Sequence, residues 1–104
     1  MSHVVVTAVF EPKPGRTQDV LDALRVAIPL VHEEEGCELY AIHEAPDGTL
    51  VMIEKWTSAE LLDAHGEGAP VIALRAAIAE HLERPVEVTR LMAIPLGDAR
   101  RGAI

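Results

Sequence analysis

The chain opens on a run, HVVVTAVFE at 3–11, that is apolar on two sides at once. Val4, Val6, Ala8 and Phe10 fall on one face, Val5 and Val9 on the other. A period of two rich in β-branched residues predicts a strand, and apolar residues on both faces require cover on both. One cover can be the chain's own helices; the other is then a second subunit. Pro12-Lys-Pro-Gly15 breaks the strand. From about residue 16 the spacing turns helical, with Val20, Leu21, Leu24, Ile28 and Val31 on one face. Pro29 is expected to kink or thin the last turns, and Gly36 to stop the helix.

Residues 37–45 (CELYAIHEA) and 49–57 (TLVMIEKWT) read as strands joined by Pro46-Asp47-Gly48, a hairpin turn in which Pro fixes φ and Gly tolerates a positive one. A three-residue loop sets Ala45 opposite Thr49, and hence Ile42 opposite Met52, Tyr40 opposite Glu54, and Glu38 opposite Trp56. Cross-strand partners and residues two apart share a face, so Tyr40, Met52, Glu54 and Trp56 form one patch. Thr57-Ser-Ala-Glu60 fits a capping box, followed by Leu61, Leu62 and His65 on one helical face. Gly66 and Gly68 interrupt this helix, and Pro70 suits the start of another carrying Val71, Leu74, Ile78 and Leu82. Residues 86–94 (VEVTRLMAI) read as a fourth strand.

The order βαββααβ, with right-handed crossovers, predicts an α+β, ferredoxin-like sandwich with its helices on one face of the sheet. The expected organisation is a single domain over 1–104, with a core at about 3–94 and a C-terminal tail at 95–104.

A net charge of −8, from 17 acids against 9 scattered basic residues, argues against nucleic acid and anionic membrane surfaces as partners. No run approaches a membrane span. Cys37 is the only cysteine, which excludes an intrachain disulfide. The opening Met-Ser-His-Val lacks the features of a secretory signal, and a cytoplasmic location is expected. His3, His32, His43 and His81 show no metal-ligand spacing. Glu33-Glu34-Glu35 reads as a solvated helix end.

Phe10, Tyr40 and Trp56 are the only aromatics. If Leu61 and Leu62 pack on the sheet, His65 points inward near Trp56, so that an imidazole, an indole, a phenol and a carboxylate converge in aliphatic surroundings. That is the usual makeup of a small-molecule site. Each has a plainer role too: Trp56 as a core anchor, His65 as a satisfied core histidine, Tyr40 as packing, and Glu54 as the hydrogen-bond acceptor that holds Trp56 or His65.

EEEGCELYAIHE followed by EKWTSAELLDAH resembles the antibiotic biosynthesis monooxygenase family. The shared pattern is an acidic residue shortly before Gly-Cys, then Tyr, Glu-x-Trp and Ala-His, over roughly residues 3–94. The resemblance implies a dimeric α+β barrel, in which two such sheets pack face to face as a homodimer. It implies a cofactor-independent monooxygenase of a small phenol or hydroquinone, with His65, Trp56, Tyr40 and Glu54 as site residues and no cofactor or metal. The chain has no Asn, whereas the polyketide-oxidising and haem-degrading members use a pocket Asn. Two other readings stand beside this one: a cofactor-free isomerase of a sugar-like ketone, and a non-catalytic dimeric module that binds a small molecule.

Overall fold

The structure, a computed structural model, describes residues 3–104. Met1 and Ser2, the first two residues of the opening Met-Ser-His-Val, lie outside the described residues. Strand β1 (Val4–Phe10) occupies the interior of a four-stranded antiparallel sheet. It is flanked by β3 (Leu50–Trp56) and β4 (Glu87–Leu91), and β2 (Cys37–Glu44) lies outside β3, giving the order β2-β3-β1-β4. Helix α1 (Thr17–His32) crosses from β1 to β2. Helices α2 (Ala59–Gly66) and α3 (Ala69–Ile78), with a 3-10 turn at Ala79–His81, link β3 to β4. This is the α+β, ferredoxin-like sandwich that the pattern predicts.

The helices cover the face that carries Val4, Val6, Ala8 and Phe10, and Val20, Leu24, Ala27 and Val31 of α1 are buried with them. Leu50, Met52 and Trp56 of β3 are nearly inaccessible on the same face. Each such aliphatic side chain contributes about 1.5–3 kcal/mol by leaving water. On the other face Thr7, Val9, Val51 and Ile53 remain half-buried.

Four expectations about the strands and helices need correction. Cys37, not Glu38, pairs with Trp56, because a bulge between Cys37 and Leu39 adds one residue to β2; Tyr40–Glu54 and Ile42–Met52 pair as the loop requires. The bulge leaves Glu38 exposed, where it meets His3 at 2.9 Å, and keeps a carboxylate out of the core beside Trp56. The cap of α2 is Ser58, whose hydroxyl accepts from the Leu61 N–H at 3.2 Å. Thr57 stays with the strand end, donating to the Gly36 carbonyl at 3.3 Å. Helix α1 ends at His32, before Gly36, and runs through Pro29, which is exposed in its last turn. Strand β4 is five residues long, shorter than the run 86–94, because beyond Leu91 the chain leaves β1.

Gly36 instead makes the turn into β2. Its φ is +87°, and a Cβ built there would lie 2.6 Å from Leu61 Cδ1. The left-handed conformation and the close approach of α2 both require glycine.

Candidate active site

The hairpin parity carries straight into the site. Tyr40, Glu54, Val6 and Arg90 form one row across all four strands, on the face beneath the helices. Trp56 lies one step further along β3 and is fully buried. Its Nε1–H donates to Glu54 Oε1 at 2.9 Å, so the two residues two apart on the same strand lock each other. Helix α2 places His65 above them. The imidazole and indole centroids are 4.5 Å apart, tilted by 31°, and the Tyr40 ring meets the imidazole edge-on at 5.5 Å. Thus all four predicted side chains gather. Trp56, however, backs the site and does not face its opening, because its one donor is committed to Glu54.

A fifth residue belongs with them. Glu34, just past the end of α1, reaches in so that its Oε1 lies 2.6 Å from His65 Nδ1. An ionised carboxylate only accepts, so Nδ1 carries the hydrogen, and in the neutral ring Nε2 keeps its lone pair. Every buried side-chain nitrogen and oxygen among the described residues has a partner. His65 Nε2 and the Tyr40 hydroxyl make no hydrogen bond to the described residues, so both must be reachable from solvent or by a ligand. The expectation of a fully solvated Glu33-Glu34-Glu35 is corrected on this point. The signal was the acidic residue ahead of Gly-Cys, which does not say which of three consecutive glutamates turns inward.

The electrostatics follow from burial. Desolvation raises the pKa of Glu54, opposed by the indole hydrogen bond and by the nearby imidazole. Burial, reinforced by the carboxylates of Glu54 and Glu34, raises that of Tyr40 and keeps it a neutral phenol; the Arg75 guanidinium pulls the other way. Cys37 is also raised, by burial first and then by Glu34 and Glu54.

Tyr40, Glu54 and His65 border a cleft of about 660 Å³, within the range of ligand sites. Its polar lining includes Tyr40, Glu54, His65 and Arg75, and aliphatic side chains make up most of the rest. Arg75, a residue with no periodic signal in the sequence, folds back from α3 so that Nη1 donates to the Gly66 carbonyl at 3.2 Å, beside His65. Arg90, at the rim, is paired with Asp63 at 2.6 Å. Among the described residues no three His, Cys, Asp or Glu side chains gather closely enough to hold a metal ion. No helix among them is long and apolar enough to cross a membrane.

Residues 3–77 match the sequence family described as antibiotic biosynthesis monooxygenase. The chain belongs to that family. It is 36% identical over 99 residues to a Mycobacterium tuberculosis protein named "Putative monooxygenase Rv0793", covering 94% of this chain and 96% of that one. The solved structure of that protein superposes with a TM-score of 0.83, over 94% of this chain and 99% of that one. The "Probable quinol monooxygenase YgiN" of Escherichia coli strain K12 is 37% identical over 75 residues, 60% of this chain and 71% of that one. A conserved protein of Methanosarcina mazei, 24% identical, shares the fold with a TM-score of 0.82 over 88% of this chain and 92% of that one.

Proposed function

We propose that the chain is a cofactor-independent monooxygenase of a phenol or hydroquinone, and that the Glu34–His65 pair is the base that starts the reaction. Membership of the family and the names of the two curated relatives support the monooxygenase type. The observation that carries the rest is the geometry of His65: Nδ1 is held by Glu34 while Nε2 is left free at a largely apolar cleft.

His65 Nε2 takes the hydroxyl proton of the substrate. The resulting phenolate gives up an electron to oxygen far more readily than the phenol does. Superoxide and the ring radical combine to form a carbon–oxygen bond, and His65 returns its proton to the peroxide. The hydroperoxide then loses water as its O–O bond breaks and the ring C–H proton leaves. One oxygen atom stays on the ring as a carbonyl and the other departs in water, so a hydroquinone becomes a hydroxyquinone with the ring supplying all the electrons. Arg75 and the Tyr40 hydroxyl stabilise the anion, and burial keeps Tyr40 protonated and able to donate. Glu54 holds Trp56, and Trp56 supports the imidazole from behind.

An oxygen electrode tests this directly. Hydroquinones should drive consumption of one oxygen molecule per ring oxidised, and His65→Ala should slow it by about 10²-fold or more. Turnover that continues in anaerobic buffer would leave the isomerase reading in its place, and binding without turnover would leave the binding module.

The same proposal includes a homodimer and a cytoplasmic location. Supporting the first, the half-buried row Ala41, Ile53 and Thr7 and the row His43, Val51 and Val9 lie on the sheet face that no helix covers. The lone thiol of Cys37 accords with a reducing compartment. Light scattering on the eluting protein gives the assembly; a monomer at micromolar concentration would remove the dimer.

A further inference from the structure

Proton transfer at His65 occupies one end of a cleft that is much longer than a single ring. The polar groups of the floor, Tyr40 and Glu54, stand in the row of Val6; Ala8 and Val88 share the next row along β1, and Phe10 lies beyond it. From Val6 to Phe10 is four residues of strand, roughly 14 Å at about 3.4 Å per residue. Past the first row the walls are aliphatic apart from Phe10, with Leu74 and Ile78 from α3, then Leu82 and Val86. Charge returns at the far end, where Glu83 stands and Arg84 Nε meets Glu11 Oε2 at 3.2 Å. The trough stays open beside β4, where Val88 is 59% exposed.

We propose that the substrate is a phenol or hydroquinone with an extended aliphatic chain on its ring. The ring sits under His65 and the chain runs along the trough toward residues 82–86. This rests on the phenol reading of the same site and names its substrate class. Two observations favour an aliphatic chain over further fused rings. The extension offers only one aromatic face, Phe10, for stacking. It also leaves an aliphatic wall, Val88, exposed along its side, which a chain would cover.

The test separates binding from chemistry. Calorimetric titration with para-alkylphenols, from methyl to octyl, is run under anaerobic conditions so that nothing turns over. Each added methylene should lower Kd about fourfold, from the transfer free energy of one buried CH₂, until the chain reaches the 82–86 segment and the gain stops. Ala79→Trp, at the exposed far end of the cleft, and Val88→Asp, on the edge strand, should each weaken octyl binding at least tenfold more than methyl binding. An affinity flat across the series, or equal losses for methyl and octyl in both variants, overturns the chain site. A length dependence without oxygen consumption by any alkylhydroquinone keeps the chain site and refutes the oxidation. Oxidation without a length dependence does the reverse.

Discussion

Glu34 and His65 stand 31 positions apart in the chain, and their side chains meet at 2.6 Å. The contact ties the end of α1 to the last turn of α2 and fixes which nitrogen of the imidazole faces the cleft. If the two act as one unit, their substitutions must not add. Glu34→Gln should lower kcat less than His65→Ala does, and the double variant should be no slower than His65→Ala alone. Steady-state kinetics on the four proteins decide it; fully additive losses would show that Glu34 works independently of the imidazole.

Trp56 and Glu54 are both buried, and each satisfies the other. Trp56→Phe keeps most of the packing and removes the donor. It should cost about 1–3 kcal/mol, the penalty of an acceptor left without its partner. Urea denaturation gives the number, and a loss near zero would mean that water replaces the indole at Glu54.

Glu54 also makes stability depend on pH, with a sign that can be stated. Its folded pKa is raised by burial above the ordinary 4.5. Below that ordinary value both folded and unfolded chains hold the proton. As pH rises the unfolded chain releases it first, and stability is lost until the folded value is passed. Glu54→Gln removes this term while keeping an oxygen for the indole. Thermal melts of the two proteins between about pH 4 and pH 8 should therefore show the variant gaining on the parent as pH rises; a constant gap would refute the burial account.

Gly36→Ala should be among the most damaging small changes. The left-handed backbone costs about 1–2 kcal/mol for a residue with a Cβ, and overpacking against Leu61 adds ~1–3 kcal/mol. Adding Leu61→Ala should not restore the loss, because Leu61 Cβ itself lies 2.7 Å from the new atom. Full rescue in a denaturation series would show that the clash is confined to the tip of the leucine.

The grouping of Tyr40, Glu54, Trp56 and His65 was legible because it depends on short-range rules: a three-residue loop sets the parity of the hairpin, and helical spacing sets the face of α2. The bulge at Glu38 was not, since a strand of alternating residues carries no mark of the extra one until its partner is known. Glu34 escaped for a different reason. Three adjacent glutamates look alike in the chain, and only the position of α2 selects the one that reaches His65. The length of the cleft was also invisible, because it arises where the exposed strand β4 joins the sheet, a consequence of tertiary packing.

The chain's single indole is the one stacked on the imidazole at 4.5 Å. A proton arriving on that imidazole sets a cation against the ring's electron-rich face. The intrinsic fluorescence of the protein should therefore follow the charge on that one side chain. It is read without a label, and no other tryptophan dilutes the signal.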